Sequence, residues 1–354
     1  MKLTIHEDVK KIPYYPKAML YGFDEGWARL SSNENPYPPS QKVFSDIFDA
    51  LFFTNRYPGG EAELKAAIAK KFDTAPEQVL IGNGSNELIE MTLRAMKHET
   101  RNRIIISDPS FAFYAIAAQI YGYEVRTVPL VDMHVDLGLI SSRIDDATRV
   151  IFLNNPLNPT GTIFVQEDFE NFLKTVPPEV LVVVDEAYAE FVESGQFPRT
   201  IKDVSEWPVL MLRTFSKAYG LAGLRVGYGI GERSLISFLE RTKQPFSVNM
   251  MALIAARAAL SDNAYLKKVL KNNQKGMHFF YEALRELSVE FIPSEANFLL
   301  IKLGKEAEGI TKRLFDEKVV VRWMGAYGLP DFIRVSVGTM NENRRFVETL
   351  LRVK

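Results

Sequence analysis

The chain has 354 residues, 47% of them hydrophobic, and a formal net charge of −1. That is enough for a large core in more than one compact unit, and a near-neutral balance gives nucleic acid or an anionic membrane surface no reason to bind. There is no cysteine, which excludes disulfides, thiol nucleophiles and cysteine-ligated metal sites.

The histidines, His6, His98, His134 and His278, are scattered without metal-ligand spacing, so no metal is expected. The opening "MKLTIHEDVKK" lacks the apolar stretch of a signal peptide, and the longest apolar runs, such as "VLVVV" at 180–184, are strand-length. These features predict a cytoplasmic protein.

Residues 1–50, rich in Pro, Asn and Tyr, follow no regular period and are expected to pack with the smaller, C-terminal unit. From residue 78 the pattern is regular. Short β-branched runs, "QVLIG", "RIIIS", "EVRTVPL", "RVIFL", "VLVVVDEAY", "PVLMLRT" and "RVGYGI", alternate with helical segments such as "NELIEMTLRAM" and "FAFYAIAAQIYG". Apolar strands buried on both faces between amphipathic helices predict an α/β domain over 51–245 with a mostly parallel sheet flanked by helices. After residue 245 two long helical patterns lead to "NFLLIKL", "VVVRW" and "FIRVSVG" and a last helix, which predicts a small α+β domain over 246–354.

Ligands of open parallel sheets sit at the carboxyl ends of the strands, and polar clusters fall at such places here. In "IGNGSNE" two glycines precede a helix start, so backbone N–H groups at Gly84, Ser85 and Asn86 suit a phosphate, or else this is a plain capped helix with Asn83, Ser85 or Asn86 as the cap. A dinucleotide fingerprint would need glycine where Glu87 stands, and it fails. "NNPLNPTG" is a turn that also presents Asn158, a donor and acceptor, at the sheet mouth. "VVVDEAY" ends a buried strand on Asp185 with Tyr188 three residues on, and strand alternation sends Asp185 and Glu186 opposite ways. "RTFSKAYGLAGLRVGYG" sets Lys217 among apolar residues, with Thr214, Ser216 and Arg225 as phosphate-competent neighbours. A desolvated lysine condenses with carbonyls. Together the clusters ask for a phosphate, an aldehyde, a basic ring nitrogen and a phenolic oxygen on one ligand, and pyridoxal phosphate has all of them.

With "SSNENPYPP", "NRYPGG", "GNGSNELIE" and "GLPDFIRVSVGT" added, the chain resembles, nearly end to end, a fold-type-I pyridoxal-phosphate aminotransferase, and most closely the histidinol-phosphate aminotransferase family. The resemblance implies that Lys217 bonds the cofactor aldehyde and Asp185 pairs with its ring nitrogen. It implies that Asn158 and Tyr188 hold the phenolic oxygen, and that Ser85, Asn86, Thr214, Ser216 and Arg225 hold the phosphate. Phe111 would lie over the cofactor ring, and Tyr57 would reach the phosphate of a neighbouring subunit in a homodimer. For the substrate, it implies Arg334 on a carboxylate, Tyr14 and Arg322 on the phosphate of histidinol phosphate, and Asn33 beside them, with 2-oxoglutarate as amino acceptor. The run "PYYPKA" and Asn86, where many relatives carry aspartate, depart from the family pattern and leave aromatic amino acids open as substrates. A phosphothreonine decarboxylase or a non-catalytic binding module on the same scaffold are the remaining alternatives. A dehydrogenase would have to rest on "GYGIG", which lacks the fingerprint spacing.

Overall fold

The computed structural model describes residues 7–16 and 26–354. His6 and the Lys17 and Ala18 of "PYYPKA" lie outside the described residues. Seven strands form the main sheet: β1 (Val79–Gly82), β2 (Arg103–Asp108), β3 (Glu124–Pro129), β4 (Thr148–Asn154), β5 (Leu181–Asp185), β6 (Val209–Thr214) and β7 (Gly227–Ile230), in the order β1-β7-β6-β5-β4-β2-β3. Each falls on one of the β-branched runs. The sheet is parallel except for β7, which runs antiparallel to both β1 and β6. The β6–β7 connection holds only the helical turn Ala222–Leu224, not the crossover helix that a parallel return needs.

Both faces are covered, which is why the strands read as unbroken apolar runs. Val182, Val184, Ile151, Leu153 and Met211 enter one core; Leu181, Val183, Val150, Phe152, Leu210 and Leu212 enter the other. Burying each such side chain contributes roughly 1.5–3 kcal/mol. The helix Met250–Ser261 sends its buried alanines into the first of these cores rather than into the C-terminal unit.

A second sheet, β8 (Phe291–Ile292), β9 (Phe298–Lys302), β10 (Arg322–Trp323) and β11 (Phe332–Ser336), is antiparallel in the order β10-β11-β9-β8 and encloses its own core. The run "VVVRW" is split: Val319–Val320 pairs instead with Ala28–Arg29, and Val321 is buried between the two pairings. The N-terminal stretch is therefore divided. Ala28 and Leu30 join the C-terminal core, but the helix Gln41–Ala50, capped by Ser40, buries Val43 and Ala50 against the main domain. We propose that the divide between the two units falls inside the helix Asn263–Glu286, whose Met277, Phe280 and Leu284 already belong to the second core. Among the described residues no helix is long and apolar enough to cross a membrane.

Candidate active site

Strand β5 keeps its alternation to the last residue. Asp185 turns to the Leu181 and Val183 side, and Glu186 to the opposite one. Glu186 meets structural partners there: it accepts from Arg213 Nε at 2.7 Å and from the Thr200 hydroxyl, while Glu190 takes another Arg213 nitrogen at 3.1 Å. Asp185, 3% exposed, has neutral donors instead. The Tyr114 hydroxyl donates to Oδ2 at 2.7 Å and the Ala187 N–H to Oδ1 at 3.2 Å. Burial pushes this carboxyl up to about 6, and the Tyr114 hydrogen bond is the largest influence holding it down.

Register brings the neighbours in. Asn154, the last residue of β4, stands opposite Asp185, and its Oδ1 accepts the Asn158 N–H at 2.8 Å, which fixes the turn that carries the Asn158 side chain. Asn158 Oδ1 accepts from the Arg334 guanidinium, so its Nδ2 is left to donate. The Tyr188 hydroxyl accepts from Asn33 Nδ2 at 3.1 Å, so its own proton is likewise free to be given. Burial raises Tyr188 to about 12, which keeps that proton in place. Two donors aimed from one turn and one strand end suit a phenolate oxygen.

Lys217 follows β6. Its half-buried amine donates to the Ser32 carbonyl at 3.1 Å and lies 5.7 Å from the centre of the Tyr188 ring. Burial lowers it to about 8; the Arg334 guanidinium adds to the effect, and Glu34 and Asp185 oppose it. An amine so placed is largely neutral in mildly alkaline solution, and only the neutral form is a nucleophile.

An anion cup adjoins this amine. At the start of the helix Gly84–Ala95, Asn83 makes no side-chain cap, and Glu87 accepts the Asn83 N–H at 2.6 Å, so the first-turn N–H groups face outward. Gly84 holds φ +73°, and a Cβ there would lie 2.6 Å from Arg225 Nη2; a Cβ on Gly227 would lie 2.7 Å from the Ser85 nitrogen. Both glycines are needed for this close approach. Arg225, itself at φ +57°, donates to Ser216 Oγ at 3.3 Å, and Thr214 Oγ1 accepts the Ser216 N–H at 3.1 Å. Backbone strain of this kind concentrates at working sites.

On the other side stand β10 and β11, where Arg322 and Arg334 are register partners. Arg334 donates to the Ser31 carbonyl at 3.0 Å and packs over Phe298 at 5.2 Å; Arg322 donates to the Pro16 carbonyl at 3.2 Å. The Nε of each is buried and has no partner among the described residues.

The residue-matching 25–350 span fits the family model described as "Aminotransferase class I and II". A histidinol-phosphate aminotransferase 2 of Pseudomonas fluorescens is 42% identical over 92% of this chain and 88% of its own, and a histidinol-phosphate aminotransferase of Desulfotalea psychrophila is 38% identical over 99% and 95%. The chain belongs to the histidinol-phosphate aminotransferase family. In the solved structures, the Sinorhizobium meliloti histidinol-phosphate aminotransferase in complex with pyridoxal-5'-phosphate superposes with a TM-score of 0.86, at 28% identity, over 92% of this chain and 90% of that one.

In this aminotransferase two residues expected at the site stand apart from it within the single chain. Tyr57 is 80% exposed and stacks on Phe246 at 4.6 Å. Tyr14 is 98% exposed within the single chain, and its neighbour Tyr15 lies edge-on to Phe111 at 6.3 Å. Burial and Tyr327 raise the Tyr15 pKa, and Arg322 and Arg334 draw it down, which places its hydroxyl among those groups. Tyr15, Tyr114 and Tyr327 are the site residues that sequence reasoning missed. For Tyr15 the signal was present, as adjacent tyrosines before Pro16, but nothing local says which one faces inward.

Proposed function

We propose that this aminotransferase moves an amino group between histidinol phosphate and 2-oxoglutarate, holding pyridoxal phosphate through Lys217, as a cytoplasmic homodimer. The observation that carries the substrate choice is the pair of guanidinium groups on adjacent strands, each with a buried Nε that has no partner among the described residues. The carbon that bears the amino group holds a carboxylate in glutamate and a phosphooxymethyl group in histidinol phosphate. One planar fork suits the carboxylate, and the second guanidinium suits the wider, more highly charged phosphate. Tyr15, and the Asn33 side chain that orients Tyr188, complete that end of the site.

The residues fit the cofactor. The helix start at Gly84, Ser85 and Asn86, with Thr214, Ser216 and Arg225, would hold its phosphate. Asp185 would face its ring nitrogen, Asn158 and Tyr188 would donate to its phenolic oxygen, and Phe111 would pack on its ring. When bound, pyridoxal phosphate supplies an aldehyde that collects the amino group and a ring that accepts the electrons of the broken Cα–H bond. The chain does the rest. With the cofactor bound, the Lys217 amine would be the base that takes and returns the proton at the substrate Cα. Asp185 would stabilise positive charge at the ring nitrogen. Arg334 fixes the substrate anion so that Cα stays within reach of Lys217. The exchange would turn the amino donor into its oxo compound and the oxo-acid acceptor into its amino acid.

The dimer rests on Tyr57 and on the apolar surface beside it: Phe44, Phe48, Leu51, Phe52 and Phe53 are all exposed, on the face of the helix Gln41–Ala50 and the turn after it that points away from the core. A surface of that kind is an association site, and a second copy would carry Tyr57 toward Arg225.

A substrate panel with 2-oxoglutarate as acceptor tests the proposal. Histidinol phosphate should give the highest kcat/KM. Phenylalanine or tyrosine above it would favour the aromatic reading that the Phe111, Tyr15 and Trp323 surroundings also suit.

A further inference from the structure

Tyr114 is fully buried and comes from the helix Phe113–Ile120, which packs on β2 and β3. Its ring stacks on Phe152 at 5.0 Å with an interplanar angle of 11° and meets Phe111 edge-on at 5.4 Å. Clamped this way, its hydroxyl has one place to go, the Asp185 Oδ2 at 2.7 Å. Asp185 sits at the end of a strand with apolar residues before it and a neighbouring carboxyl, Glu186, after it, so its ionised form is costly. Its other oxygen accepts the Ala187 N–H at the longer distance of 3.2 Å. Burial holds the Tyr114 phenol well above its ordinary value, so it stays a donor and never takes the negative charge.

The geometry points to Tyr114 as a positioning residue for the cofactor ring: its hydroxyl keeps Asp185 ionised and fixes the carboxylate plane, so that Asp185 can hold a proton on the ring nitrogen. This rests on the reading of Asp185 as the partner of that nitrogen. Tyr114 itself touches neither substrate nor the reacting atoms. The clamp also couples two cofactor-facing groups, because the ring that orients Asp185 is the ring against which Phe111 leans.

The experiment compares binding of pyridoxal phosphate with binding of its deaza analogue, in which a C–H replaces the ring nitrogen, measured by equilibrium dialysis on the full chain. A group that acts through the nitrogen affects only the first ligand; a group that only packs affects both. Tyr114→Phe keeps the ring and should reduce the preference for the natural cofactor by about 10- to 100-fold, as expected for loss of a hydrogen bond to a charged group, with affinity for the deaza analogue nearly unchanged. Asp185→Asn should abolish the preference. If Asp185→Asn abolishes it and Tyr114→Phe leaves it intact, or weakens both ligands equally, Tyr114 has no positioning role and the Asp185 reading stands. If Asp185→Asn keeps the preference, the Asp185 reading falls and takes this inference with it. Should Tyr114→Phe fail to fold, Tyr114→3-fluorotyrosine, similar in shape and a stronger donor, must raise the preference about twofold or more; an unchanged preference overturns the assignment.

Discussion

Around Asp185 the polar contacts close within the chain: Tyr114 and Ala187 on the carboxylate, Asn154 under the Asn158 turn, Asn33 on Tyr188. Around Arg334 and Arg322 they do not. Each guanidinium makes its contacts with backbone carbonyls or Asn158 and ends on a buried Nε without a partner among the described residues. The first region is built on the rigid ends of parallel strands and would hold one resident group. The second is assembled from an antiparallel edge and residues 15–16, and has donors in reserve for ligands that come and go. A ping-pong enzyme needs both, since one ligand stays while two differently shaped substrates alternate in the same place.

Removing the amine separates the two regions most sharply. Lys217→Ala should lower amino transfer by at least about 1,000-fold, because nucleophile and proton carrier are lost together, while equilibrium binding of glutamate to the cofactor-loaded protein changes little. In the unchanged protein, cofactor attachment should accelerate as pH rises through about 8, where the buried amine loses its proton; stopped-flow absorbance measures this.

Asp185→Asn should reduce kcat on the order of 100-fold by unpairing a buried charge and yet stabilise the cofactor-free chain. The sign follows from the raised carboxyl. A folded pKa of about 6 against an ordinary 3.8 means that the neutral form favours folding, an advantage present in full below about pH 4 and lost as pH rises through about 6. The cofactor-free variant should therefore melt roughly 2–4 °C above the parent at pH 8 and level with it at pH 4; calorimetry at both values checks this.

At the substrate end, Arg322→Ala should cut kcat/KM for histidinol phosphate about 10- to 100-fold, as for loss of a charge-assisted hydrogen bond, and for phenylalanine only slightly. An equal loss would remove Arg322 from the phosphate role. The smallest effect separates the adjacent tyrosines: Tyr15→Phe should raise KM for histidinol phosphate about fivefold, the size of one hydrogen bond, whereas Tyr14→Phe leaves it unchanged within the single chain's site.

The same division governs what is legible in the sequence. Asp185, Asn158, Thr214, Ser216 and Lys217 each close or follow a buried strand, so strand period and order were enough to converge them. Arg213 pairs with Glu186 across adjacent strands, and that partner was invisible until β5 and β6 were known to be neighbours. Tyr114 was hidden for a related reason: its helix period marks it as core, and only the stacking on Phe152 shows that its hydroxyl ends at Asp185. Tyr15 lies in neither helix nor strand, so no period assigns its face. The helix Gln41–Ala50 was missed although Val43, Phe44, Ile47 and Phe48 keep helical spacing, on one apolar arc that runs from the buried Val43 to the exposed Phe44 and Phe48.

Reduction of the yellow, cofactor-loaded protein with borohydride, followed by peptide mapping, tests the covalent role of the amine beneath Tyr188 directly. The cofactor-derived mass should be carried by the peptide containing Lys217 and by no other. Attachment at a different lysine, or a protein that binds the cofactor without any reducible bond, would contradict the account.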